Sequence, residues 1–101
     1  MAAPQKLGIA NKQGWAAYHR GGTLFVKRFT YQEGATYPDY GSNNETYTAA
    51  SFIEIESLGP ISRLEPGMAV THEERWSLHR DVSIGQSEES IDAALRQAGV
   101  I

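Results

Sequence analysis

The alternation of apolar and polar positions is clearest between residues 45 and 60. There, Phe52, Glu54, Glu56 and Leu58 fall on one face of an expected strand over residues 52–58, and Ile53 and Ile55 fall on the other. Two carboxylates therefore project side by side, about 7 Å apart at a rise of ~3.3 Å per residue. A strand that gives its middle positions to acids either shows that face to water or lines a polar cleft. Upstream, the same period of two predicts strands over residues 6–10 and 15–20, joined as a hairpin around Asn11-Lys12-Gln13-Gly14. Gly21-Gly22 breaks the chain before residues 23–30, where Leu24 and Val26 share one face and Phe25 and Phe29 the other. With both faces partly apolar, that strand is expected to be central.

Residues 31–44 show no apolar periodicity but hold Tyr31, Tyr37 and Tyr40 among Gly34, Pro38, Asp39, Gly41, Ser42 and two asparagines. They read as a long loop, ordered by the packing of its tyrosine rings. Strands over 45–48 and 52–58 follow, Gly59-Pro60 turns the chain into a short strand over 61–64, and Glu65-Pro66-Gly67 predicts a type II turn. Residues 68–79 read as one long strand. Its even positions, Met68, Val70, His72, Glu74, Trp76 and Leu78, are expected to be the buried face, and Trp15 and Trp76 to be core.

The period changes at the C-terminus, where Ile91, Ala94, Leu95 and Ala98 make one stripe of an amphipathic helix within 87–99. Ser87 is placed as its N-cap, Glu88 and Glu89 suit the first turn, Arg96 suits the last, and Gly99 is the stop. The first five residues read as a loose lead. Six or seven short strands with frequent turns and one helix predict an all-β fold, an antiparallel β-sandwich with a short C-terminal helix.

A length of 101 residues supports a single domain spanning 1–101, with too little chain for two independent cores. A net charge of -3 without a basic cluster argues against a nucleic-acid partner held through phosphates, and the adjacent Lys27 and Arg28 point to opposite faces of their strand. The absence of cysteine removes disulfides, thiolate nucleophiles and thiolate metal sites. No leader pattern opens the chain and no run approaches the ~20 apolar residues of a membrane span, so no membrane association is expected and a cytoplasmic location is the default reading.

Three groups of residues carry candidate chemistry. Glu54 and Glu56 suit general-base work if both are desolvated, because each then raises the other's pKa. His72 and Glu74 alternate onto one face after the Pro-Gly turn. A metal there wants a second histidine, but His79 has the opposite parity, so no metal is expected; His72 is read as paired with Glu74 at a polar rim, and both are counted among the ligand-binding candidates. In the loop, Tyr37, Asp39, Tyr40 and Asn43 suit a sugar platform, since tyrosine rings stack on the apolar face of a pyranose while Asp and Asn bond its hydroxyls.

Gly14-Trp15-Ala16-Ala17-Tyr18, Phe25-Val26-Lys27-Arg28-Phe29, Tyr37-Pro38-Asp39-Tyr40-Gly41-Ser42-Asn43, and residues 52–60 with Leu64-x-Pro66-Gly67 form an ordered series. Over about residues 6–80 this series resembles the C-terminal part of an uncharacterised bacterial family grouped with the galactose mutarotase-like sandwiches. The resemblance implies a twisted antiparallel sandwich whose concave sheet receives a sugar. It also implies a glutamate acting as base on the anomeric hydroxyl, for which Glu56 is the nearer match and Glu54 the second. The family's catalytic histidine and sugar-gripping arginine lie upstream of anything matched here. The expectation is therefore a non-catalytic carbohydrate-binding or sensing module with a saccharide ligand and no cofactor. The alternatives are a sugar mutarotase or epimerase assembled across a dimer, with Glu56 as base and His19 or His72 as acid, and a structural or interaction protein without a small ligand. Half a sandwich leaves open edges, so a homodimer is expected.

Overall fold

The computed structural model describes residues 3–101, so the first two residues of the expected loose lead lie outside the described residues. Among the described residues six strands are present: β1 (Gln5–Ile9), β2 (Trp15–Arg20), β3 (Thr23–Arg28), β4 (Asn44–Thr48), β5 (Ile53–Ser57) and β6 (Arg75–His79). One helix of ten residues, Glu88–Gln97, closes the chain. The strands form two three-stranded antiparallel sheets, ordered β1-β4-β5 and β2-β3-β6. The fold class is thus all-β with a short C-terminal helix, as the strand pattern predicts, and is consistent with a small β-sandwich. The chain divides into two compact units, one made of the residues up to Gly14 together with Phe29–Glu74, the other of Trp15–Arg28 with Arg75–Ile101.

In the first unit β4 and β5 form a hairpin whose register pairs Thr48 with Ile53, Tyr47 with Glu54 and Glu45 with Glu56. Ala49 N donates to Phe52 O across the loop, and the Tyr47 and Phe52 rings pack 5.8 Å apart. On the other side of β4, β1 pairs Gly8 with Glu45 and Lys6 with Tyr47. One face of the sheet therefore carries Lys6, Gly8, Glu45, Tyr47, Glu54 and Glu56, because residues opposite one another share a face. What this unit buries is largely polar: Ser42, Asn43, Asn44 and Glu45, beside Phe29 and Tyr37.

The expected hairpin between residues 6–10 and 15–20 does not form, because β1 and β2 belong to different sheets. Asparagine amides decide this. Asn11 N donates to Asn43 Oδ1 at 2.6 Å, Asn11 Nδ2 to Asn44 Oδ1 at 3.1 Å, and Asn43 N to Ile9 O at 3.1 Å, which together direct β1 onto β4. The hairpin on this side is β2–β3. Gly21 and Gly22, both at positive φ (58° and 80°), make the two-residue loop between Arg20 and Thr23, a conformation that glycine adopts without steric cost.

In the second unit β3 is central, as its two apolar faces predict. Leu24 and Val26 form a core with Leu95 and Val100, and Trp15, Ala17, Val82, Ile84 and Ala98 pack against it. The helix begins as its sequence dictates: Ser87 Oγ accepts from Ser90 N at 3.1 Å, Glu88 and Glu89 occupy the first turn, and Ala94 and Leu95 are buried. Gly99 follows at φ 79°, and Val100 N returns to Leu95 O at 2.9 Å.

Two strand expectations fail on tertiary grounds. Residues 61–64 form no strand, with Ile61 62% and Leu64 49% exposed, and Ile61 N makes one bond, to Thr36 O at 2.7 Å. Of residues 68–79, Arg75–His79 alone is paired as a strand, since β3 ends at Arg28 and the ladder ends with it. The even face of that stretch is exposed, not buried, with Trp76 67% and Leu78 70% accessible. The β3–β6 register sets Ser77 opposite Val26 and His79 opposite Leu24, so the polar odd residues of β6 take the side of the sheet that carries the core. Trp76 is therefore not core. It lies edge-on to Phe25 at 5.6 Å, with Lys27 Nζ 5.6 Å from its ring centre.

Candidate functional site

Asp39 and Tyr40 stand on a four-residue turn, Pro38–Gly41, that departs from ordinary helix geometry. Asp39 (φ 51°, ψ 55°) and Tyr40 (φ 62°, ψ 32°) both occupy the left-handed region, and Gly41 follows at φ 92°. For a residue with a Cβ this costs roughly 1–2 kcal/mol, and a tyrosine there is an outlier. Surrounding bonds hold the turn closed. Ser42 N donates to Pro38 O at 2.9 Å and Ser42 Oγ to Asp39 O at 2.9 Å. Gly8 on β1 makes room for that serine, since a Cβ on Gly8 would approach Ser42 Oγ to 2.6 Å. The result is a fully exposed Tyr40 ring on a fixed base.

Beside the turn lies a cleft of about 550 Å³, lined by Lys6, Gly8, Asp39, Tyr40, Ser42 and Glu45 among others. Glu45 is the buried charge of the group, 3% exposed, and Lys6 Nζ reaches its Oε1 at 3.4 Å. The hydrogen bond it shares with Asp39, then burial, push the Glu45 carboxyl above the ordinary range, against the opposing pull of Lys6. The Lys6 ammonium is in turn raised, first by its hydrogen bond to Glu45. Glu56, opposite Glu45 on β5, is more open; its Oε2 lies 4.0 Å from Lys6 Nζ and, among the described residues, has no hydrogen-bond partner.

The remaining sequence-predicted residues are placed as follows. Glu54 is exposed on β5, opposite Tyr47. Tyr37 is buried, stacked on Tyr31 at 5.2 Å and 10°, with its hydroxyl accepting from Gln32 N at 2.9 Å. Asn43 is fully buried and its amide is consumed by the backbone, accepting from Asn11 N and donating to Asn11 O at 3.0 Å and Thr30 O at 3.3 Å. Both order the loop from beneath, leaving Asp39 and Tyr40 to face the cleft.

His72 and Glu74 meet at Ser57, whose Oγ is 2.8 Å from His72 Nε2 and donates to Glu74 Oε2. Ser57 alternates with Glu56 along β5, so this cluster belongs to the opposite face of the sheet from the two acids. The serine stands between the histidine and the carboxylate. Its single proton goes to Glu74, so His72 is not its base, and the arrangement ties residues 72–74 to the end of β5. Among the described residues, no group of three or more His, Cys, Asp or Glu side chains is disposed to hold a metal ion. In the second unit, His19 Nε2 lies 2.6 Å from Val82 O, and a cleft of about 450 Å³ is lined by His79, Arg80, Asp81 and Gln97 among others.

Sequence reasoning missed Lys6, Gly8, Ser42 and Glu45. A signal for Glu45 was present, since a four-residue loop over 49–52 sets Glu45 opposite Glu56 by counting outward from Thr48 and Ile53. No known family model matches the chain, and neither does any curated protein or solved structure. Among the described residues no helix is long and apolar enough to cross a membrane.

Proposed function

We propose that the chain is a non-catalytic saccharide-binding module whose contact surface is the cleft beside Pro38–Gly41. The observation that carries this reading is the fully exposed Tyr40, held on a left-handed backbone beside a cleft lined by Lys6, Asp39 and Glu45. Strained backbone persists where its surroundings over-determine it, and such places cluster at ligand sites. The tyrosine offers a flat apolar face for the C–H face of a pyranose, while an ammonium and carboxylates offer donors and acceptors for its hydroxyls. Glu56, on the same sheet face, extends the polar rim. The resemblance to mutarotase-like sandwiches favours the same ligand class.

Binding is favoured over isomerisation because both candidate acids are engaged elsewhere, His72 with Ser57 on the other face of the sheet from Glu56 and His19 with the Val82 carbonyl. The test is saturation-transfer NMR of the chain against a panel of mono- and oligosaccharides, with anomer exchange followed by polarimetry. Transfer to one sugar class, lost in Tyr40→Ala and weakened in Glu56→Gln with no acceleration of anomer exchange, is the expected result. A silent panel overturns the reading, and accelerated exchange replaces it with the enzyme.

A further inference from the structure

Within the second unit, the cleft of about 450 Å³ is lined by Arg80, Asp81, Val82, Ser83, Ala94 and Gln97 among others, a volume typical of small-molecule sites. Its charges stand on a fixed turn. β6 ends at His79, and Asp81 then takes a left-handed backbone (φ 56°), which an aspartate accepts more readily than a bulkier residue does. Both backbone polar groups of Val82 hold that turn to the β2–β3 hairpin, since Val82 N donates to Gly22 O at 2.8 Å and Val82 O lies 2.6 Å from His19 Nε2.

Arg80 and Asp81 are neighbours in the chain, with Cα atoms ~3.8 Å apart, and both line the cleft. Yet among the described residues neither side chain makes a hydrogen bond or an ion pair, with the other or with anything else. His79, also on the wall, is already engaged, with its Nε2 3.0 Å from Ser77 Oγ. The cleft therefore offers one open cation and one open anion.

We infer that this cleft binds a small aliphatic α-amino acid, its carboxylate on Arg80 and its ammonium on Asp81. A ligand of single charge would leave the other protein charge desolvated without a counterpart, whereas an α-amino acid carries both signs within one bond of its α-carbon. The guanidinium fork matches a carboxylate bidentately. Gln97 ends the helix and Ala98 caps it, so the part of the wall they form carries the negative end of the helix dipole, which favours an ammonium and disfavours a second anion. Val82, Ala94 and Ala98 add apolar surface, and the short alanine side chains leave room for an aliphatic group.

Titration calorimetry of the full chain with L-leucine and its two singly charged analogues tests this. Leucine is expected to bind, and 4-methylpentanoate, which lacks the ammonium, and 3-methylbutylamine, which lacks the carboxylate, are each expected to bind about tenfold more weakly or worse. Asp81→Asn keeps a residue that accepts the left-handed backbone. It is expected to abolish the preference over 4-methylpentanoate and to keep the preference over 3-methylbutylamine, and Arg80→Gln is expected to do the reverse. A purely structural loss would instead lower all three affinities together. No binding of leucine, equal binding of the three compounds, a parallel loss in the variants, or both preferences surviving in both variants overturns the inference. Saccharide binding plays no part in these readouts.

Discussion

Glu45 and Glu56 face one another across the β4–β5 ladder, yet only Glu45 is enclosed, and Lys6 reaches both, at 3.4 and 4.0 Å. One ammonium serves two carboxylates, and the more deeply placed of them also shares a hydrogen bond with Asp39. This crowding raises the Glu45 carboxyl above its ordinary range.

The sign follows from the direction of its shift. With its folded pKa above the ordinary 4.5, Glu45 holds its proton more tightly when folded, so its stabilising contribution is complete below 4.5 and is lost as pH rises through the folded value. Lys6, raised above 10.5, contributes in a separate, alkaline window. Urea midpoints measured from pH 4 upward are expected to fall more steeply for the wild type than for Glu45→Gln. Parallel curves would show that Glu45 is not shifted.

Replacing Tyr40 by glycine is expected to separate stability from binding. Relief of the left-handed backbone returns ~1–2 kcal/mol, and the added freedom of the unfolded chain takes back ~0.5–1, for a net gain of about 0.5 kcal/mol. Chemical denaturation reads that gain, and NMR reads the loss of saccharide contact. A destabilised Tyr40→Gly variant would mean that the ring packs in solution.

Gly8→Ala acts on the same turn from below. The added methyl meets Ser42 Oγ at 2.6 Å, displacing the side chain that closes Pro38–Gly41. Sugar binding is expected to drop at least tenfold in titration calorimetry, with β1–β4 pairing retained in hydrogen exchange.

Asn43→Ala removes a fully buried amide and orphans the Asn11 and Thr30 backbone groups it serves. At about 1–3 kcal/mol for each group left unsatisfied, the loss is expected to be at least about 3 kcal/mol. Urea denaturation measures it. Ser87→Ala removes the helix cap and is expected to cost about 1 kcal/mol.

Local chemistry was legible in the sequence. Ser87, Glu88, Arg96 and Gly99 mark the helix because capping and dipole effects act within a turn of chain. The Glu54/Glu56 side of β5 and the central place of β3 follow from period two alone. The Asp39 and Tyr40 of the cleft were among the candidate residues because tyrosines in a turn-rich loop are read by type. Pairing was not legible. Which strand β1 joins depends on Asn11 meeting Asn43 and Asn44, a contact across more than thirty residues that no local pattern encodes.

The sequence by itself determined which residues share a face, where the helix starts and stops, and which side chains offer sugar chemistry. Each of these depends on backbone geometry repeated over a few residues. Tertiary structure alone decided which side of the sheet carries the core, as Trp76 and Leu78 lie on the side away from it while Ser77 and His79 stand opposite Val26 and Leu24. It also decided that Glu45, not Glu54, is the enclosed acid, because burial and pKa are set by neighbours such as Lys6 and Asp39 that only the folded chain brings together.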